Sequence, residues 1–100
     1  MTTTLAKEIE QIAQQAAMKF PSEVVRIRHY IGHDWTGDPS ITFRIVLSDD
    51  AAAREHLSEI TEPITEEIFD ELVRRESEYY PYFQFRSKTE YDTLKDPTWD

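Results

Sequence analysis

Residues 23–47 read EVVRIRHYIGHDWTGDPSITFRIVL, and their hydropathy alternates with a period of two on both sides of a polar loop. In the first run, 23–31, Val25, Ile27, His29 and Ile31 fall on one face, and Val24, Arg26, Arg28 and Tyr30 on the other. In the second, 40–47, Ile41, Phe43, Ile45 and Leu47 alternate with Thr42, Arg44 and Val46. β-Branched and aromatic residues on a two-residue period are the mark of half-buried strands. Both glycines of the chain, Gly32 and Gly37, lie in the stretch 32–39 between them. The pattern predicts a hairpin whose eight-residue loop is too long for a tight turn and has structure of its own.

Outward from the hairpin the period changes. Leu5, Ile9, Ile12, Ala13, Ala16 and Phe20 recur at helical spacing, with Thr3 or Thr4 as cap, Lys19 suiting the C-terminal end and Pro21 as stop. After Ser48, Asp49 and Asp50, which suit a helix start, Leu57, Ile60, Ile64, Ile68 and Leu72 repeat at three and four. Pro63 disfavours helical backbone at Glu62, so a kink or two helices, 50–61 and 63–78, are expected. Residues 82–87 read as a third strand with Phe83 and Phe85 inward. The expected fold is a two-layer α+β domain in the order α-β-β-α(α)-β. Its three-stranded sheet is mostly antiparallel, with the helices on one face. Residues 1–88 form this single domain, and 89–100 a partly flexible tail, polar apart from Tyr91, Leu94 and Trp99.

With 100 residues there is room for one core, and an apolar fraction of 39% is enough to build it. The net charge of −9 is concentrated in residues 50–80, which hold ten acids against three bases. That charge repels nucleic acid unless bases are segregated. The lack of cysteine excludes disulfides, thiolate metal sites and cysteine nucleophiles. No signal-peptide pattern and no membrane-length apolar run is visible, so the expected compartment is the cytoplasm. Phosphate-binding glycine loops, G-x-S-x-G and H-E-x-x-H are missing, and no enzyme is expected.

If the apolar faces of the strands meet the helices, Arg26, Arg28, Arg44 and Arg86 emerge together from the opposite face. Tyr30, Thr42, Tyr82 and Gln84 accompany them. Guanidinium groups pair carboxylates or phosphates, and rings stack, so this face suits an acidic protein partner or, as the alternative, nucleic acid. The plainer reading is an open sheet face kept soluble by charge. Trp35 and Asp38 in the loop complete the candidate partner-binding set of Arg26, Arg28, Arg44, Trp35 and Asp38. His29, His33, Asp34 and Asp38 offer a third reading, a metal-dependent centre. Yet His29 and His33 stand about 13 Å apart on an extended chain, so no metal and no cofactor is assigned. Arg28 to His33 spells R-x4-H, the spacing of the ribonuclease motif of HEPN domains. Here it spans a strand and a turn instead of a helix, and is read as coincidence. The acids Glu66, Glu67, Asp70 and Glu71 read as a solvated helix face, or as a patch for a basic protein.

The strings 27–31, 34–41, 44–49 and 80–87 resemble a family of small uncharacterised bacterial proteins with a W-x-G-D-P-S-I hairpin motif, here Trp35 to Ile41. Members are often encoded beside HEPN-domain or nucleotidyltransferase-like proteins, as in toxin–antitoxin-like modules. The resemblance covers residues 23–88 and brings no catalytic residues. It implies a non-enzymatic protein-interaction module, an accessory or antitoxin-like component of a bacterial operon. The element order is also similar to minimal KH-like and BolA-like folds, but the GXXG loop of KH domains is missing.

Overall fold

The computed structural model describes residues 2–53, 55 and 57–99, the first three by backbone only. The expected cap at Thr3 or Thr4 therefore lies outside the described side chains. Helix α1, Thr2–Lys19, buries Ile9, Ile12, Ala13 and Ala16. Its terminal Lys19 complements the helix dipole and reaches Glu67 at 2.6 Å.

Strands β1, Val24–His33, and β2, Pro39–Leu47, pair antiparallel, so the hairpin loop shrinks to five residues. The register slips once: Val24 faces Leu47, but Arg26 faces Val46, leaving Val25 as the extra residue of a bulge. Val24 thus enters the core while Val25 is 49% exposed, the reverse of the expected alternation at these two positions. From Arg26 onward the alternation holds.

Strand β3, Tyr80–Ser87, lies beside β2 and runs parallel to it, giving a mixed sheet in the order β1-β2-β3. The mostly antiparallel sheet of the sequence reading is therefore limited to the β1–β2 pair. The cause is the helical connection 48–79, which carries the chain back before β3 begins, as a parallel pair requires.

That connection holds α2, Asp49–Ala52, and α3, Ser58–Arg74. Ser48 caps α2, its side chain accepting from the Ala51 amide at 3.2 Å. Helix α2 ends at Ala52, α3 begins at Ser58, and α3 continues through Pro63. The break expected at Glu62–Pro63 is thus displaced. Pro63 is the sixth residue of α3, and its missing N–H deprives only the Glu59 carbonyl, close to the helix start, of a ladder partner. At its other end α3 closes with Glu76 in the left-handed region (φ 55°), its amide on the Val73 carbonyl and that of Ser77 on Leu72.

Helices α1 and α3 cover one face of the sheet. Ile9, Ile12, Ala16, Ile64, Ile68 and Leu72 meet Val24, Ile41, Phe43, Ile45 and Leu47 there, with Phe43 and Phe83 stacked at 5.6 Å. Helix α4, Lys88–Leu94, and a 3₁₀ turn, Pro97–Trp99, lie against the other face. The expectation of helices on one face alone holds for the two long ones and fails for α4. Ser87 turns the chain at the end of β3 through a capping box with Glu90, both bonds 3.0 Å long. Asp49 anchors the start of α4 to that of α2, accepting from the Thr89 amide at 2.9 Å and its hydroxyl at 2.7 Å.

Candidate functional site

The register arranges the face opposite α1 and α3 in four cross-strand rows. They are Arg26–Val46–Arg86, Arg28–Arg44–Gln84, Tyr30–Thr42–Tyr82 and Gly32–Ser40–Tyr80. Arg26, Arg28, Arg44 and Arg86 share this face, where the alternation put them. Two-residue periodicity suffices for that because the bulge at Val25 precedes all four.

The first two rows are partly occupied by the chain itself. Arg26 donates to the Tyr91 hydroxyl at 2.5 Å and lies over that ring at 5.6 Å. Arg44 donates to the Thr98 carbonyl at 2.6 Å and to Gln84 at 3.3 Å. Arg86 stacks on the Trp99 ring at 4.4 Å and meets Asp96 at 3.4 Å. Trp99 is 4% exposed, though it stands outside the main core. Asp96 accepts from the Thr98 hydroxyl and amide, which together with Arg86 hold its carboxyl below the ordinary range. Arg28, by contrast, points to solvent.

The other two rows end at the hairpin loop. Asp34 organises it: one carboxylate oxygen accepts from the Thr36 hydroxyl at 2.6 Å, the Thr36 amide at 2.9 Å and the Asp38 amide at 3.1 Å. Its other oxygen accepts from the Tyr82 hydroxyl at 3.0 Å. These bonds, led by the Thr36 hydroxyl, depress the Asp34 carboxyl, while desolvation and the same carboxylate raise the Tyr82 phenol. Gly37 takes φ +89°, which an L side chain would resist. The loop is therefore a self-bonded frame, and it carries Trp35 with 85% of the residue exposed.

No protein-family model, no curated protein and no solved structure matches the chain. The site must therefore be read from its own geometry.

Around Trp35 the rings gather: Tyr82 at 6.3 Å, Tyr80 a further 5.2 Å beyond, and Tyr30 beneath Arg44 at 5.9 Å. Past Tyr80 an apolar groove of about 180 Å³ continues to the exposed Phe69 and Val73 of α3. Of the sequence-derived set, Trp35, Asp38, Arg28 and Arg44 belong to this loop end of the face, and Arg26 sits at the opposite end beside Tyr91. Asp38 serves the loop frame, accepting from Thr36 at 3.2 Å. Phe69 and Val73 escaped the sequence reading, although the wheel shows them one position past Ile68 and Leu72, off the buried stripe.

The other candidate features are placed as follows. His29 lies half-buried on the helix face, its pKa lowered by desolvation, with Glu10 opposing and Arg28 adding to the shift. His33 is exposed at the end of β1. Among the described residues no three His, Asp or Glu side chains converge as a metal site. Glu67 and Glu71 of the acidic run pair with Lys19, Arg74 and Arg75. A groove of about 640 Å³ runs between α1 and the edge strand β1. No helix among the described residues is long and apolar enough to cross a membrane.

Proposed function

We propose that the chain is a non-enzymatic protein-interaction module of the cytoplasm, an accessory or antitoxin-like component of a bacterial operon. It engages its partner through the aromatic and arginine cluster at the loop end of the open sheet face. The observation that carries this reading is Trp35, an indole held out to solvent on a loop cross-braced by Asp34. Tyr82 lies beside it and Tyr80 beside Tyr82, and the neighbouring rows of the same face carry Tyr30, Arg28 and Arg44. Tryptophan, tyrosine and arginine dominate binding hot spots because they combine large apolar area with directed polar groups. A rigid mount lowers the ordering cost of binding. The resemblance of the hairpin to proteins encoded beside HEPN-domain partners supports the same reading.

The test is reciprocal purification from the native host at several salt concentrations. A defined partner should be retained by the wild type and lost from Trp35→Ala of unchanged melting temperature. Recovery of no stable partner, or equal recovery by both proteins, overturns the proposal.

A second reading is single-stranded nucleic acid stacked on the same rings. The Arg44–Tyr30 stack favours it, and the net charge of −9 opposes it. Salt-dependent oligonucleotide binding, abolished in the Arg28→Glu, Arg44→Glu double variant, would establish it.

A further inference from the structure

We infer that the arginine rows nearest α4 form a receptor for an acidic–aromatic peptide segment of the type Asp-x-x-Trp, and that residues 95–99 are its occupant in cis. A partner protein bearing such a segment displaces them. The inference does not rest on the Trp35 patch: it centres on Arg86, Asp96 and Trp99 at the other end of the face, and the two regions share Arg44 alone.

The chemistry of recognition is already displayed. Segment 95–99 presents one carboxylate, one indole three residues further on, and a carbonyl between them. Arg86 takes the first two, through the 3.4 Å contact to Asp96 and the 4.4 Å stack on Trp99, and Arg44 takes the Thr98 carbonyl at 2.6 Å. The 3₁₀ turn brings Asp96 and Trp99 to one side, the Trp99 amide donating to the Asp96 carbonyl at 3.0 Å. Guanidinium groups suit this task because they pair carboxylates and stack on rings with one planar group.

Two features make the segment an exchangeable occupant. First, its fit is incomplete. The Arg86–Asp96 contact is long for a charge-assisted bond. The Nη1 atom of Arg86 is buried and meets no acceptor among the described residues. A carboxylate presented squarely would take both nitrogens of the fork. Second, its attachment is thin. Trp99 is the one buried residue of the 3₁₀ turn, α4 buries none, and Lys95 between them is in the left-handed region at φ 49°. Of the segment's polar contacts to the sheet, the Arg44–Thr98 bond is exposed and the Arg86–Asp96 contact only part-buried.

The probe is the synthetic peptide Asp-Pro-Thr-Trp with blocked ends, titrated into the full ¹⁵N-labelled chain to millimolar concentration, the range in which a tethered segment competes. Two variants open the site: Trp99→Ala removes the anchor, and Asp96→Lys repels the segment from Arg86 without touching the buried ring. Each should bind the peptide at least tenfold more tightly than the wild type, with the Nε–H signals of Arg44 and Arg86 shifting. Arg86→Ala in either background should remove the binding. If Trp99→Ala fails to give a native spectrum, Asp96→Lys decides alone. Equal affinity of opened and wild-type chains overturns the inference, as does no shift in a natively folded opened variant. A wild-type chain that dimerises with concentration, and does so no longer as Trp99→Ala, overturns the partner peptide in favour of a second copy's own segment.

Discussion

Truncating Trp99 to alanine separates a docked strap from a core residue. By exposure alone Trp99 resembles the core, and a core aromatic cut to alanine costs about 3–5 kcal/mol. Its attachment predicts less. An indole buries about 200 Å², worth about 5 kcal/mol at about 25 cal/mol per Å². The stack on Arg86 adds about 1 kcal/mol. Fixing the five residues 95–99 opposes this with about 1–2 kcal/mol each. Docking is therefore balanced to within a few kcal/mol, and loss of the anchor is capped by release of the segment. We expect Trp99→Ala to cost about 1–2 kcal/mol, and Phe43→Ala, fully buried in the main core, the full 3–5 kcal/mol or so. Urea unfolding followed by far-UV circular dichroism measures both. The Trp99 variant should also show a reduced denaturant slope, because its strap is already exposed in the folded state. In a Trp35→Phe background Trp99 is the sole indole, and its emission should redden before the backbone signal falls. A cost equal to that of Phe43→Ala, with an unchanged slope and coincident transitions, would refute the reasoning.

Further outcomes follow from the same geometry. Trp35→Ala should change stability by no more than about 0.5 kcal/mol, as at other exposed sites, and a larger loss in urea melts would show the indole to be structural. Gly37→Ala should cost about 1–2 kcal/mol through its positive φ alone, because nothing lies near the added Cβ. Gly32→Ala should be mild, since its Cβ would meet the ring of exposed Tyr30, which can swing aside; matched thermal melts of the pair check both. Glu76→Gly should raise stability by about 0.5–1 kcal/mol by relieving the left-handed cap of α3. His29 binds its proton less readily folded than unfolded, so the stability present above its ordinary value of 6.5 is lost as pH falls through 6.5 toward the lowered folded value. His29→Gln should flatten that limb of the melting-temperature profile, and an unchanged limb would place the titration elsewhere.

Much of the fold could be read from periodicity, because Ile41, Phe43, Ile45 and Leu47 leave no choice of buried face, and the arginine face follows as its complement. Periodicity is blind to register, so one inserted residue at Val25 inverted two side chains unnoticed. It is equally blind to strand direction, which here follows from the helical connection. Pro63 misled because its effect depends on depth within the helix, and the true start at Ser58 rests on Leu57, which has no cap side chain. The Asp34 frame was hidden in ordinary turn residues: it needs Tyr82, forty-eight positions away, to be complete. The strap was missed for a similar reason. A polar tail with scattered rings reads as loose until its arginine partners, up to 65 residues distant, are placed.

Why the strap covers one end of the face and leaves the other bare follows from a single residue. Val46 breaks the polar alternation of β2, and it is almost fully buried, between Arg26 and Arg86 in its row. The arginines beside it take their acceptors and ring partners from the C-terminal segment, Arg26 from Tyr91 and Arg86 from Asp96 and Trp99, at the end of the face that holds Val46. The rows nearest the loop have Thr42 and Ser40 at the corresponding β2 positions, polar side chains that need no apolar shield, although Ser40 is itself buried. Yet this end of the face carries the exposed rings of Tyr30, Tyr80 and Trp35. Cover is provided where stability requires it. Rings are spread at the other end, and that asymmetry is the ground on which the proposed interaction surface rests.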